Sequence, residues 1–460
     1  AYQIFFKENI IMKRLLLFIA CLTILSGCTF KSGDELLKTP RPSATYESLQ
    51  KQINNITSKG AIAVSPQSGE NRNTVQLMDL NLDGEDEAVA FFCESKNPDK
   101  FHIYVFQREN EEYISLGSVS ATAAQITSVS YPTLSPDGQK GILISWKLSG
   151  DNSTSGMTVC AFSNEKLVTL LETTYQSFIT SDLDNNGTDD LILFTKDETN
   201  RRIAQLYVKE ENSSKLTLKG EAILSPETQN IVSLKKGLLR GYQPAIFAES
   251  KVEISTGLMT DIFVYDDEGF RNITLESEDG TKHSTYRPVS VPSSDVNNDQ
   301  VTEVPLALLM PLTPNTQNQS GSQSSSESAY MLDWYAFSTG DAPVRVCTTY
   351  QNVSENWQFM ISDAWRSNIT VVKSTDENET KTTFLDYSSP SEPIELFTIH
   401  RLTGDMRNYY ASQDSMFELA RTTTEIYTVS IPENAANSRF NLSYEQIKER
   451  FSIISQSWNN

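Results

Sequence analysis

From about Val75 to Tyr350 the chain alternates short apolar runs with turns of Gly, Asn, Asp and Ser, and no long helical pattern interrupts them. Such runs predict β-strands, because alternate residues of a strand face opposite sides of its sheet. They fall into groups of four. The first is "VQLMDL", "EAVAFF", "FHIYVFQ", "EYISLGSV", the third is "SFITSDL", "DLILFT", "IAQLYVK", "KLTLKGEA", and the fifth is "YRPVSVP", "EVPLALL", "YMLDWYAF", "PVRVCTT". The turn between the first and second run of each group falls near Asp83, Asp137, Asn186, Gly241 and Asp299. The period is roughly 50 to 58 residues, and a four-stranded unit at that spacing is the pattern of a β-propeller blade. An irregular β-sandwich would explain the strands but not the period. The expected fold is mainly β: a propeller of about five four-stranded blades, with a range of five to seven, over residues 61–353.

The pattern changes near Glu355. "WQFMISDAW", "NITVVKS", "KTTFLDY" and "IELFTIHRL" read as strands, and the chain closes on a helix. Ser443 and Gln446 make a capping box there, Leu442 and Ile447 a hydrophobic staple, and Ile447, Phe451 and Ile454 one apolar stripe. Residues 354–460 are therefore expected to form a small α+β domain. Its "MISDAW" start and its strands ending in a helix loosely resemble PsbP-like domains, which assigns no function. "TPNTQNQSGSQSSSES" (Thr313–Ser328) lies between two runs of the fifth group and reads as a loop within that blade. "TYESLQKQINNI" reads as a short helix before the first blade.

The N-terminus changes the picture more than the composition does. Met12-Lys13-Arg14 opens a positive region, "LLLFIACLTI" is a short apolar core, and Leu25-Ser26-Gly27-Cys28 follows. The apolar stretch is short for a transmembrane helix and reads as a removable signal. Leu-Ser-Gly-Cys resembles the lipobox of bacterial lipoproteins, which implies cleavage before Cys28 and a diacylglycerol on its sulfur. Residues 12–27 are then the signal peptide and 28–60 the lipidated tether with its helix. Residues 1–11 read as translated upstream sequence. The implied location is the cell envelope, anchored by lipid on the outer face of a bacterial membrane. Lys+Arg number 38 against 59 Asp+Glu, a formal charge of -21, which argues against a nucleic-acid partner. Cys93, Cys160 and Cys347 lie in apolar runs without CxxC partners and read as buried thiols rather than disulfides or metal ligands.

Within the first, third and fifth groups the turn carries chemistry. Asp79, Asn81, Asp83 and Glu87 stand at the first, third, fifth and ninth positions of one loop, with Gly84 sixth. Asp182, Asp184, Asn186 and Asp190 repeat this with Gly187 sixth, and Asp295, Asn297, Asp299 and Glu303 with Gln300 sixth. Alternating side-chain oxygens in a tight loop, closed by a later carboxylate, suit a hard cation such as Ca²⁺. An EF-hand is excluded, since its twelfth position needs Glu and here holds Ala90, Leu193 or Leu306 inside a strand run. Loops of this kind joining two strands resemble the FG-GAP/VCBS repeats of integrin-type propellers. The resemblance implies structural Ca²⁺ at two sites and a weaker third where Gln300 replaces Gly. The second group keeps only Asp137 and the fourth, "LLRGYQPA", has no carboxylate, so neither is expected to bind metal. The alternative for all of them is Asx-turn chemistry alone.

No catalytic residue is assigned. His102, His283 and His400 lie near no nucleophile motif, and GxSxG, HExxH and P-loop patterns are missing. The expected function is a non-catalytic binding or scaffold protein at the surface, with an extracellular protein or a polysaccharide as partner. The alternative is an exported carbohydrate-active enzyme, a polysaccharide lyase or glycosidase, on a propeller scaffold.

Overall fold

The computed structural model describes residues 44–454 apart from 111, 151–153, 164–165, 211–212, 253–256, 276–283 and 312–329. The leader, Cys28, His283 and the Ser/Gln-rich stretch lie outside the described residues. The fold is mainly β, and the described residues form six antiparallel sheets of four or five strands.

The first sheet holds β1 (Ala61–Ala63), β2 (Val75–Met78), β3 (Glu87–Glu94), β4 (Asn97–Glu109) and β5 (Glu112–Thr122). Here β1 and β2 share one edge of β3, Ala63 opposite Phe92 and Val75 opposite Ala90. The second sheet runs β6 (Gln125–Ser130), β7 (Ile142–Lys147), β8 (Ser155–Ser163), β9 (Lys166–Tyr175). The third runs β10 (Ser177–Ser181), β11 (Asp190–Lys196), β12 (Arg202–Lys209), β13 (Leu216–Ile223). The fourth runs β14 (Thr228–Leu238), β15 (Pro244–Val252), β16 (Leu258–Asp266), β17 (Gly269–Asn272). In these four the strands follow the expected groups.

The second strand of each of these four groups is largely apolar because both of its faces are covered. On β11, Leu191 and Leu193 pack with Leu143, Met157 and Val159 of the second sheet, while Ile192 and Phe194 pack with Ile246, Ala248 and Phe263 of the fourth. On β3, Val89 and Phe91 meet Ile142, Ile144 and Trp146 of the second sheet. Its other face, Ala88, Ala90 and Phe92, is covered by Leu49 of helix α1 (Ala44–Thr57), the helix expected before the first blade. Successive sheets thus stack face to face, each sharing one apolar layer with the next.

The fifth sheet departs from expectation. It is ordered β18 (Glu303–Leu309), β19 (Tyr330–Ser338), β20 (Asp341–Asn352), β21 (Trp357–Ile361), β27 (Phe451–Ile453). "YRPVSVP" is not its first strand: Arg287 and Ser294 make only isolated bridges, to Leu258 and Glu303. Pro288 and Pro292 cannot donate to a ladder. The segment is held instead by the buried guanidinium of Arg287, which pairs with buried Glu249 and donates to Thr260 Oγ1 and the Thr285 carbonyl. The strand expected to open a separate domain, Trp357–Ile361, pairs with Thr348–Asn352 of β20, so the sheet runs across the expected 353/354 boundary.

A sixth sheet follows, in the order β22 (Ile369–Asp376), β23 (Glu379–Asp386), β24 (Ile394–Leu402), β26 (Ile426–Ser430), β25 (Phe417–Arg421). Phe384, Phe397 and Tyr427 share a core with Tyr350, Trp357 and Phe359 of the fifth sheet. A short helix, α2 (Arg407–Ala411), joins β24 to β25. The closing helix α3 (Tyr444–Arg450) has its capping box, Ser443 Oγ accepting from the Gln446 amide and the Gln446 side chain from the Ser443 amide. It ends sooner than the apolar stripe implies. Ile447 is buried in the helix, but Phe451 is already extended and begins β27 against β21.

Candidate metal loops

The three acidic loops share one backbone. Each has left-handed residues at the fourth and sixth positions: Leu82 and Gly84, Asn185 and Gly187, Asn298 and Gln300. The fold that turns the chain here is therefore independent of whether Gly is present, and Gln300 adopts φ 73° where its counterparts are glycines. The first-position Asp accepts from the sixth-position amide in every loop: Gly84 N to Asp79 Oδ2 at 3.1 Å, Gly187 N to Asp182 Oδ2 at 2.8 Å, Gln300 N to Asp295 Oδ2 at 2.9 Å. The third and fifth side chains bond each other, Asn81 to Asp83, Asn186 to Asp184 and Asn297 to Asp299.

The ninth residue is the informative one. Glu87, Asp190 and Glu303 are buried, whereas the fifth-position Asp83, Asn186 and Asp299 are exposed. One oxygen of each buried carboxylate accepts from the second-position amide, Leu80 N at 2.9 Å, Leu183 N at 3.0 Å and Val296 N at 3.0 Å. The other oxygen, Glu87 Oε1, Asp190 Oδ1 or Glu303 Oε1, has no hydrogen-bond partner, and Asp79 Oδ1 shares that condition. A buried charged oxygen without a partner is costly. Burial accordingly pushes each of these carboxyls up to about 7, against the pull of the backbone amide. Asp83 and Asp79 add to the rise at Glu87, Asp184, Asp182 and Asp189 at Asp190, and Asp299 and Asp295 at Glu303.

An Asx turn is closed by its own amides and gives no partner to the second oxygen of the ninth-position carboxylate. An all-oxygen set with unpartnered buried oxygens fits a hard cation. In the middle loop Asp182, Asp184 and Asp190 each bring an oxygen within 4.8 Å of the others. The other two loops carry Asn at the third position, so they offer an amide oxygen in its place.

The remaining two turns are built differently. Asp137 is bonded by Ser135 Oγ and Gln139, which hold its carboxyl below the usual range. That turn is tied to its neighbours, Lys140 N to the Leu80 carbonyl at 2.9 Å and Thr133 N to Asp189 Oδ2 at 2.9 Å. The fourth turn, Leu239 to Gln243, closes on backbone bonds alone. Cys93 and Cys160 are buried free thiols and Cys347 is half-buried. His102 sits in a surface contact with Glu94, and His400 is buried. Among the described residues no helix is long and apolar enough to cross a membrane.

No protein-family model matches the sequence, and no curated protein matches it. Among solved structures it is similar to the exotype rhamnogalacturonan lyase YesX, with TM-score 0.30, 8% identity and coverage of 73% of this chain and 74% of that one. It is also similar to Sqt1 of Saccharomyces cerevisiae, with TM-score 0.27, 10% identity and coverage of 81% and 100%. A hypothetical selenium-binding protein from Sulfolobus tokodaii gives TM-score 0.26, 10% identity and coverage of 69% and 72%. Likenesses at this level carry no argument about activity.

Proposed function

We propose that this chain is a lipid-anchored surface protein of a bacterial envelope. Its stacked sheets act as the blades of an FG-GAP/VCBS-like β-propeller stiffened by Ca²⁺, and it serves as a binding or scaffold platform. The observation that carries the metal part is the orphaned buried oxygen repeated at Glu87, Asp190 and Glu303. The ligands are Asp79, Asn81, Asp83 and Glu87; Asp182, Asp184, Asn186 and Asp190; Asp295, Asn297, Asp299 and Glu303. Ca²⁺ bound there supplies charge neutralisation in loops that, in the first and third sheets, link β2 to β3 and β10 to β11, and in the fifth lead into its edge strand β18. The propeller part is supported by the repeat period and by the shared apolar layers between successive sheets.

The platform reading predicts saturable retention on an extracellular polysaccharide or protein, dependent on Ca²⁺. The purified chain is passed over immobilised candidates with Ca²⁺ or with chelator. Retention in Ca²⁺ alone supports the reading, and equal retention in both separates the platform from its metal. Steady release of oligosaccharide would overturn a purely binding role and favour the carbohydrate-active alternative.

A further inference from the structure

The sixth sheet brings together three side chains that no spacing in the sequence connects. His400 on β24 lies opposite Lys381 of β23 and Thr428 of β26. Side chains alternate along a strand, so Glu379, two residues before Lys381, and Ser430, two residues after Thr428, share the face of His400. They reach it diagonally from either side. His400 Nδ1 stands 2.7 Å from Glu379 Oε1, and Nε2 stands 2.8 Å from Ser430 Oγ.

That geometry fixes the proton positions. A carboxylate only accepts, so Nδ1 carries the hydrogen and donates to Glu379. Nε2 is then the bare nitrogen, and the Ser430 hydroxyl donates to it. Burial holds the imidazole pKa below its usual value, against the pull of Glu379, and Lys381 lowers it further. The ring is therefore neutral near pH 7 and able to accept a proton. Lys381 Nζ is 3.2 Å from the second oxygen of Glu379, which restrains the carboxylate and places a cation on the same face. Ser430 is partly buried and His400 is 5% exposed, while the Glu379 side chain keeps 26% of its surface open.

We propose that Ser430, His400 and Glu379 form an acyl-transfer site that hydrolyses small carboxylic esters such as acetyl esters. Ser430 Oγ attacks the ester carbonyl carbon and its proton passes to His400 Nε2. The tetrahedral adduct collapses, the carbonyl-carbon bond to the leaving oxygen breaks, and the imidazolium returns the proton to the departing alcohol. Water, deprotonated by the same nitrogen, then cleaves the acyl-serine to the free acid and restores Ser430. Glu379 is a positioning residue that holds the tautomer.

The test uses the whole purified protein, with a fluorophosphonate probe and p-nitrophenyl acetate. The wild type should gain one probe adduct, mapped by peptide mass to Ser430, a result that depends on no variant folding. Ester hydrolysis should fall about 100-fold or more in Ser430→Ala and in His400→Gln, the usual contribution of a general base being about 10²–10⁴. Glu379→Asp should retain more activity than Glu379→Gln, since only the carboxylate fixes the tautomer. Absence of the adduct, an adduct elsewhere, or unchanged hydrolysis by Ser430→Ala overturns the proposal and leaves the metal loops untouched.

Discussion

Replacing Asp190 with Asn should have opposite effects with and without Ca²⁺. Asp190 is 1% exposed, and its carboxyl is pushed up to about 7 mainly by burial. An ordinary aspartate titrates near 3.9, so at about 1.4 kcal/mol per pK unit the folded metal-free chain carries a cost of up to about 4 kcal/mol when this group ionises at pH 8. Asn keeps the acceptor for the Leu183 amide, loses the charge, and offers donors to Asp182 and Asp184. After partial relaxation the gain should be about 1–4 kcal/mol, which at roughly 2 °C per kcal/mol raises the metal-free melting temperature by about 2–8 °C. On the proposed reading the same change removes a Ca²⁺ ligand. A site saturated at 100 times its dissociation constant contributes about 2.7 kcal/mol, so the Ca²⁺-induced rise in melting temperature should shrink by about 5 °C. Calorimetry at pH 8 in chelator and in millimolar Ca²⁺ measures both shifts. A lower melting temperature for Asp190→Asn in chelator, together with an undiminished Ca²⁺ response, would refute the reasoning.

The pH dependence follows from the same carboxyls. Their folded pKa values of about 7 exceed the unfolded ones, so the metal-free folded chain binds more protons between those values. Its stability should be greatest below the unfolded pKa and fall as pH rises through about 7, while the Ca²⁺ contribution grows; melting in chelator from pH 5 to 8 checks this. Gln300→Gly should relieve a left-handed side chain and stabilise the third loop by about 1 kcal/mol, read as a higher denaturation midpoint. Arg287→Ala strands the buried Glu249 and should cost about 3–5 kcal/mol in urea unfolding. Cys28→Ala should leave unprocessed precursor or release the chain from the membrane fraction, and unchanged processing and fractionation would sink the lipid anchor.

Most strands were legible because their burial is local information. "DLILF" and "EAVAFF" are continuous apolar runs between turn residues, and they are covered on both faces by neighbouring sheets. The errors occur where pairing is non-local. Nothing within "WQFMI" tells that its partner is β20 and not a new domain, since that depends on which edge is free when the fifth sheet lacks a first strand. Phe451 fits the helical stripe of Ile447, yet the chain there extends because β21 offers it an edge, with Phe451 opposite Phe359. "YRPVSVP" has strand-like alternation, but its two prolines remove the amides a ladder needs.

The two candidate sites divide along the same line. A candidate metal loop packs its acidic side chains, turn and closing carboxylate into nine consecutive residues, Asp79 to Glu87 for instance, so spacing alone is enough to suggest it. What spacing did not show is that a leucine occupies the left-handed fourth position of that loop, with φ 62° at Leu82, where the other loops place Asn. Asn tolerates this conformation better, so the first loop carries strain that the other two avoid. The Ser430–His400–Glu379 set has no local signature. Its members meet only because two strand pairings, β23 with β24 and β24 with β26, hold registers that set Glu379 and Ser430 on opposite diagonals of His400. A one-residue slip in either pairing would turn one partner to the other face. The bulge between Phe384 and Leu385 lies on the far side of His400 from Glu379, so the regular pairing from Glu379 to Phe384 preserves that diagonal. The constellation is therefore a property of sheet register, and residues that look unrelated in the chain become one chemical unit only when three strands are laid side by side.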